Sequence, residues 1–345
     1  MSVDSMTSSS RNEIRASPRP EVGDAPREWE RGALLELLEQ LRAIDYEFVT
    51  STPSSHARVV GRSEKRRARA LRDVLGWSLP FAPEVVPSPI LELLNRAGVI
   101  EHTDDGDMRA TIRVSKVRES LFIHSAYPTE SVDSVFLGPD SYRFADFIKA
   151  RMGRLPDSAR ILDYGAGAGV GGISAAWGLG DARLTLADVN PKALFLASIN
   201  AEAAGVEYET VQVNRPADLQ NDFDLIVTHP PFMIDRERRF YRDGGDLYGG
   251  QLSLDWVIDA MTMLRPGGKL VLHTGASIVD GRNVFFDALR RQVPPEDWNF
   301  DYHELDPDIF GEELDQPAYA EVERIAAVGL VLERLRGGPM FDFKG

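Results

Sequence analysis

The second half of the chain alternates short apolar runs with amphipathic stretches. From Arg160 onward, the apolar runs are long enough for strands, and the segments between them repeat their apolar residues at helical spacing. Alternation of this kind predicts a parallel sheet with helices on both faces. The predicted strands are, in chain order, RILDY, ARLTLADV, YETVQV, DFDLIVTH, KLVLHTG, WNFDYHEL and RIAAVGLVLERL.

The first half of the chain has a different pattern. EWERGALLELLEQLRAI and SPILELLNR each have one apolar helical face, and Gly98 ends the second. Two short strands follow around the turn signal Asp104-Asp105-Gly106, and ESLFIHSAYP adds another strand. We therefore predict a small α+β domain over residues 28–130, similar to a winged-helix unit, and a second domain over residues 131–345. Residues 1–27 are rich in Ser, Pro and charged residues and are predicted to be disordered.

Composition narrows the function classes. The chain has no cysteine, no apolar run long enough to span a membrane and no secretory signal pattern, which suits a cytoplasmic protein. A net charge of −15 disfavours an electrostatic grip on nucleic acid. The basic run from Arg58 to Arg72 could still contact phosphate. The alternative, a solvated helix face, is favoured because Glu64 interrupts the run and Leu71 and Val74 give it an apolar side.

A glycine-rich turn follows the first strand of the second half, in ILDYGAGAGVGG. Asp163 ends the strand, and Gly165, Gly167 and Gly169 allow a ligand to approach the backbone at the start of the next helix. Spaced glycines with Asp188 about 20 residues on also fit a dinucleotide fingerprint. The glycines alone therefore leave a nicotinamide enzyme and a methyltransferase open.

Two carboxylates favour S-adenosylmethionine (SAM) over NAD. Asp163 lies directly before the glycines, where it can accept a hydrogen bond from the ammonium group of an amino acid. Asp188 ends the second strand, where its carboxylate can accept both hydroxyls of a ribose. A ligand with an amino-acid end and a ribose end fits this pair better than a dinucleotide does.

The fourth strand runs directly into His229-Pro230-Pro231-Phe232. Neither proline can donate to a sheet, and His229, as a residue before proline, must be extended. The sequence therefore predicts a kinked strand end that holds one polar side chain and one aromatic ring in fixed positions.

The segments ILDYGAGAG, LADVNPKAL and DLIVTHPPF, in this order and spacing, resemble class I SAM-dependent methyltransferases between Val135 and Leu335. The third segment resembles the branch with an Asn/Asp-Pro-Pro-aromatic motif, which includes release-factor glutamine, adenine amino and ribosomal guanine methyltransferases. The resemblance implies a Rossmann-like, mainly parallel seven-stranded sheet with an antiparallel last strand. It also implies SAM as cofactor, bound by Asp163, Gly165, Gly167, Gly169, Asp188, Val189, Asn190, Asn214 and His229, and a catalytic set of His229, Pro230 and Phe232.

Within this resemblance His229 is a departure, because the branch has Asn or Asp there. A neutral imidazole can accept a hydrogen bond, but it can also take a proton. It therefore suits an acceptor that must lose a proton, such as a hydroxyl, an ammonium or an acidic heterocycle. We interpret His229 as a base; the alternative is that it only orients an amino group, as Asn does.

Other polar residues are weaker candidates. Tyr241, Arg242 and Tyr248 lie in a polar loop that could close over a substrate or be an ordinary solvated loop, and Tyr142 could cap the methionine end of the cofactor. The six histidines show no ligand spacing, so we predict no metal site. His124 and His273 lie in apolar strand contexts and are predicted to be core residues.

These observations favour a SAM-dependent methyltransferase that acts on a nitrogen or oxygen of a small molecule or a protein side chain. An RNA base methyltransferase, with RNA contacts from the N-terminal domain, is the alternative within the fold. An NAD-linked oxidoreductase and a non-catalytic binding module are the alternatives outside it. Hydride transfer has no use for the Pro-Pro-aromatic strand end.

Overall fold

The computed structural model describes residues 28–219 and 222–336, so the predicted disordered tail lies outside the described residues. The helices are α1 Glu28–Ala43, α2 Pro53–Val60, α3 Leu71–Leu75, α4 Ser88–Arg96, α5 Pro139–Arg151, α6 Val170–Ala176, α7 Pro191–Ala203, α8 Gln251–Met263 and α9 Val284–Gln292. The strands are β1 Ile100–His102, β2 Met108–Ala110, β3 Ile112–Val117, β4 Ser120–Ser125, β5 Arg160–Tyr164, β6 Arg183–Asp188, β7 Tyr208–Gln212, β8 Phe223–Thr228, β9 Leu264–Val279, β10 Arg282–Asn283, β11 Trp298–Asp306 and β12 Arg324–Arg334.

The central sheet has the strand order β7-β6-β5-β8-β9-β12-β11. Neighbouring strands from β7 to β9 are parallel, and β12 runs antiparallel to both of its neighbours. The predicted Rossmann-like α/β sheet with an antiparallel last strand is therefore confirmed. The short strand β10 pairs with β9 at one end.

Alternate residues of the central strands face opposite sides of this sheet, as the twofold periodicity of a strand requires. Ile161 and Leu225 pack with the helices α5, α6 and α7 on one face. Leu162 and Ile226 pack with α8 and α9 on the other face. Because both faces are covered by helices, the strands read in the sequence as continuous apolar runs.

The N-terminal part combines the helices α1 to α4 with two hairpins, β1–β2 and β3–β4. The strand predicted after the Asp-Gly turn is in fact two strands, since β2 ends at Ala110 and pairs with β1, whereas β3 begins at Ile112 and pairs with β4. The basic run does not form one helix: α2 ends at Val60 and α3 begins only at Leu71. The likeness to a winged-helix unit stays a prediction.

The apolar core of the N-terminal part is continuous with one face of the sheet, because Leu34, Leu38 and Ile123 belong to the same buried cluster as Ile161. The division at residue 130 therefore stays a prediction. None of the helices in residues 28–219 and 222–336 is both long and apolar enough to cross a membrane.

Asn200 of α7 links the N-terminal hairpin to the central domain. Its side chain is fully buried, accepts from Ile123 N at 2.8 Å and donates to Ile123 O at 3.0 Å and Ala168 O at 2.9 Å. Ile123 lies in β4 and Ala168 in the glycine-rich turn. One amide thus joins the hairpin, a helix and the turn.

We predict that Asn200→Ala lowers the free energy of unfolding by about 2–4 kcal/mol, because it leaves buried backbone groups of Ile123 and Ala168 unpaired. Urea unfolding followed by fluorescence measures this loss. The control is Asn95→Ala, since Asn95 is exposed and donates only to Leu91 O within its own helix. We expect the control to change stability by no more than about 0.5 kcal/mol. Equal losses in the two variants would contradict the linking role of Asn200.

Candidate active site

A cavity of about 420 Å³ opens at the C-terminal ends of β5, β6 and β8. This is the edge of an open parallel sheet at which ligands generally bind, and the volume falls in the range of small-molecule sites. The predicted residues that line it are Asp163, Gly165, Gly167, Asp188, Val189, Asn190, Asn214, His229, Pro230, Phe232, Tyr241 and Arg242.

The glycine turn between β5 and α6 forms one wall of the cavity. Gly165, Gly167 and Gly169 all have positive φ, the left-handed region that favours glycine. A Cβ on Gly165 would lie 2.6 Å from the ring of Trp256, so the turn can approach that ring only without a side chain. Gly169 is not part of the cavity wall; it precedes α6 and packs against Ala197 and Ile173.

Asp163 holds the start of α6 and faces the cavity. Its Oδ2 accepts from Gly172 N at 2.7 Å, and the residue is 2% exposed. Burial raises the pKa of Asp163 to about 8; the Gly172 N–H opposes this shift and the charge of Asp188 adds to it. Among the described residues, no cation lies beside this carboxyl group to offset the shift.

Asp188 holds the glycine turn itself. One carboxylate oxygen accepts from Gly167 N at 2.9 Å and the other from Asn190 N at 2.8 Å. Burial raises the pKa of Asp188, and these N–H groups oppose the shift. The side chain of Asn190 has a structural role, because it caps α7 through Lys192 N and donates to Asp133 O. Val189 is exposed next to it.

The end of β8 forms the opposite wall. His229 Nδ1 lies 2.9 Å from the backbone oxygen of His273, and the His229 ring lies 5.7 Å from that of Phe232. A Cβ on Gly275 would lie 2.2 Å from the Phe232 ring, so the glycine makes room for this aromatic residue. Burial lowers the pKa of His229, and the nearby carboxylate of Asp140 partly opposes that shift.

Comparisons with known proteins agree with this geometry. Residues 148–277 match the family described as the methyltransferase small domain. They form a class I, SAM-dependent methyltransferase domain. A release factor glutamine methyltransferase of Deinococcus radiodurans is 31% identical over 170 residues, which are 46% of this chain and 58% of that protein. A ribosomal RNA small subunit methyltransferase C of Hahella chejuensis is 33% identical over 113 residues, which are 33% of this chain and 30% of that protein.

A solved structure of a SAM-dependent methyltransferase from Agrobacterium tumefaciens is 18% identical, with a TM-score of 0.44 over 72% of this chain and 80% of that one. The chain covers less than two thirds of either curated relative. The cofactor of the methyltransferase domain is SAM, so the nicotinamide alternative left open by the glycines is not supported.

Sequence reasoning missed several residues that line the cavity. Asp140 is 3% exposed, begins α5 and pairs with Arg143 at 2.9 Å. Phe144, one turn later, places its ring 5.6 Å from that of His229. The Gly-Pro-Asp-Ser run at the start of α5 is a helix-start signal that marks Asp140, although nothing in it indicates His229 as a neighbour. Phe136, Trp256 and Phe310 complete the aromatic part of the cavity wall.

Two predicted substrate residues are not brought to the cavity. The hydroxyl of Tyr142 accepts from Thr50 N in the N-terminal part, and that of Tyr248 donates to Glu321. Neither residue belongs to the cavity wall. The rotation of α5 turns Tyr142 toward the N-terminal core, and Tyr248 packs in the apolar cluster that contains Ile309 and Tyr319.

Tyr241 and Arg242 do line the cavity, in the loop that follows β8. Tyr241 stacks on Phe136 with 5.5 Å between ring centroids and donates to Thr129 O at 2.8 Å. Arg242 forms ion pairs with Asp235 and Glu313. The loop is thus held over the cavity mouth, and its closing as a lid stays a prediction.

His124 and His273 are fully buried in strands, as predicted for core residues, but His273 also touches His229. No group of three or more potential metal ligands occurs in the described part of the chain, and the absence of a metal site stays a prediction.

We predict that Asp163→Asn stabilises the ligand-free protein at pH 8. A folded-state pKa above the unfolded value of about 3.9 means that stability is full below that value and is lost as pH rises toward about 8. Asn stays neutral throughout, so the variant should melt at least ~2 °C higher at pH 8, with a smaller difference at pH 5. Thermal unfolding at both pH values measures this, with the exposed Asp181→Asn as control. Equal melting temperatures of the native chain and the variant at pH 8 would contradict the claim that no positive charge compensates Asp163.

Proposed function

We propose that this chain transfers a methyl group from SAM to a proton-bearing nitrogen or oxygen of a small molecule or a protein side chain. The observation that carries the proposal is one cavity that joins Asp163, the glycine turn and Asp188 to the His229–Phe232 strand end. Binding groups for a cofactor and a proton-accepting side chain therefore face the same space.

The residues present fit the cofactor. Each oxygen of Asp188 accepts one backbone N–H and keeps a lone pair that a ribose hydroxyl could use. Asp163, with Gly165 and Gly167, would bind the ammonium group at the methionine end of SAM. This group would be the cation that Asp163 otherwise lacks. Val189, Asn190 and Asn214 would border the adenosine. Gly169 would support the turn without contacting the cofactor.

The methyl transfer needs no covalent bond between the substrate and the protein. SAM supplies a methyl group on a sulfonium: as the acceptor atom bonds this carbon, the carbon–sulfur bond breaks and its electron pair stays on sulfur. The protein's part is to hold the acceptor in line. His229 would receive the acceptor's proton on Nε2, and the Asp140 carboxylate would stabilise the charged ring that results. Pro230 and Phe232 would fix the strand end and the plane of the acceptor.

The charges at the cavity mouth favour one class of methyl acceptor. Arg239 and Arg242 both pair with Asp235, and Arg242 also pairs with Glu313, so their charges are already balanced. Arg238 also lines the cavity and forms no ion pair with a carboxylate of the described residues, so one of the three arginines stays unbalanced. With the other two neutralised, the mouth suits an uncharged acceptor group better than the many phosphates of a nucleic-acid backbone. The names of the relatives cover both protein glutamine and ribosomal RNA, and both classes come to this chain only as proposals.

An RNA base is the second candidate, and one surface favours it. Arg58, Arg62, Arg66 and Arg69 are exposed, and no carboxylate of the described residues forms an ion pair with any of them. Three of the four lie between α2 and α3. They are therefore not part of the helix whose buried side carries Leu71 and Val74. Fluorescence anisotropy with a short RNA distinguishes the classes. Binding that weakens steeply with salt and is lost on Arg62→Glu/Arg66→Glu/Arg69→Glu favours RNA, and no binding at low salt favours the first class.

We predict that Asp188→Ala weakens SAM binding at least ~10-fold, because charge-assisted hydrogen bonds of about 1.5–3 kcal/mol are lost. Isothermal titration with SAM measures the dissociation constant. The control is Asp181→Asn, because Asp181 is exposed and lies just before β6. This variant should bind SAM as the native chain does. An unchanged dissociation constant in Asp188→Ala would show that the cofactor lies elsewhere.

We predict that His229→Asn lowers turnover by roughly 10²-fold and leaves SAM affinity nearly unchanged, because the side chain acts on the acceptor. A proton on Nε2 blocks this role, so activity is lost as pH falls through the pKa of His229. Burial lowers that pKa, and the loss should therefore begin below about pH 6.5. Turnover across pH measures both effects, with the exposed His102→Asn as control. A His229→Asn variant with native turnover and pH profile would mean that His229 only orients the acceptor.

A further inference from the structure

His273 contacts the candidate base through two different atoms. Its backbone oxygen lies 2.9 Å from His229 Nδ1, and its ring Nδ1 lies 3.2 Å from the same atom. His273 is fully buried in β9, and its Nε2 has no hydrogen-bond partner in the described part of the chain. The ring of Phe144 lies near both histidines, at 6.3 Å from that of His273 and 5.6 Å from that of His229 between ring centroids.

These contacts determine where the protons lie. A carbonyl oxygen can only accept, so the hydrogen bond at 2.9 Å requires a proton on His229 Nδ1. The ring of His273 faces this N–H at 3.2 Å, so its Nδ1 must present a lone pair and its own proton must lie on Nε2. The reverse arrangement would put the lone pair of His229 Nδ1 against the lone pairs of a carbonyl oxygen.

Both rings are neutral in this arrangement. Burial lowers the pKa of His229 and lowers that of His273 well below its usual range. The charged groups that face the pair come from α5: Asp140 favours a proton on His229, and Arg143 disfavours one on His273. A neutral His229 that carries its proton on Nδ1 has an unprotonated Nε2 with a free lone pair.

We propose that His273 is a positioning residue that fixes the tautomer of His229, so that Nε2 always presents an acceptor to the cavity. The consequence for specificity rests on the proposed function. The methyl acceptor must bring an N–H or O–H to Nε2, so primary amides, amines and hydroxyls are suitable. Atoms that carry only lone pairs, such as a thioether sulfur or a pyridine-type nitrogen, are not held by His229.

Nitrogen-15 NMR of the ligand-free full chain tests this without any activity measurement. Long-range proton–nitrogen correlations of histidine-labelled protein distinguish a protonated from an unprotonated ring nitrogen. The chain has six histidines, and the spectrum of His229→Asn identifies the signals of His229 by their absence. We expect His229 to carry its proton on Nδ1 and His273 on Nε2. A proton on His229 Nε2 in the native chain would overturn the proposal.

The variant His273→Phe removes the ring nitrogen and keeps the backbone oxygen. Because the retained backbone oxygen still accepts from His229 Nδ1, we expect the Nδ1 tautomer to stay the main one while the Nε2 tautomer becomes detectable, and turnover to fall about 2- to 3-fold, the lower end of the effect of losing one hydrogen bond. SAM affinity should not change. The matched control is His124→Phe, because His124 is equally buried but contacts Ser115 in β3. An unchanged His229 tautomer in His273→Phe would overturn the role of the ring. A native chain with the expected tautomers but no methyl transfer would refute the proposed function and leave this inference standing.

Discussion

Two carboxylates, one buried and one partly buried, hold the backbone on which the candidate site is built. Asp188 accepts from Gly167 N and Asn190 N, and Asp163 accepts from Gly172 N. These bonds fix the glycine turn and the start of α6 at the edge of the sheet. Without these hydrogen bonds, the turn loses the contacts that hold its three glycines in the left-handed region, and the cavity loses a wall.

The order of the strands explains why distant residues meet. Because β5 lies between β6 and β8 and all three are parallel, Asp163, Asp188 and His229 arrive at one edge of the sheet. The N-terminal part contributes to the same edge through Asn200, whose amide joins β4 to the glycine turn. A disturbance in the N-terminal hairpin should therefore reach the cofactor side of the cavity.

Much of this could be predicted from the sequence, for reasons that are local. Apolar runs such as RILDY and DFDLIVTH are continuous because both faces of their strands are buried, and Asp163 and Asp188 end such runs. The roles of Asp140 and Trp256 could not be predicted in this way. The charge of Asp140 acts on His229 because α5 packs against β9, the neighbour of β8, and the ring of Trp256 fills the space above Gly165.

The placements that the sequence did not specify have the same explanation. The path of a loop and the rotation of a helix depend on packing partners that periodicity does not specify. Tyr142 consequently bonds to Thr50 and Tyr248 to Glu321, away from the cavity. The sequence predicts that the basic run lies on the solvated face of a helix whose apolar side carries Leu71 and Val74, but α2 and α3 divide the run.

The most direct test is a crystal structure of the full chain with S-adenosylhomocysteine, the product that remains after methyl transfer. We predict that its ribose hydroxyls lie on the Asp188 carboxylate, its amino group lies beside Asp163, and its sulfur faces the space between His229 and Phe232. Density for the nucleoside at any other place, or a sulfur that points away from His229, would contradict the arrangement of cofactor and base on which the proposed function depends.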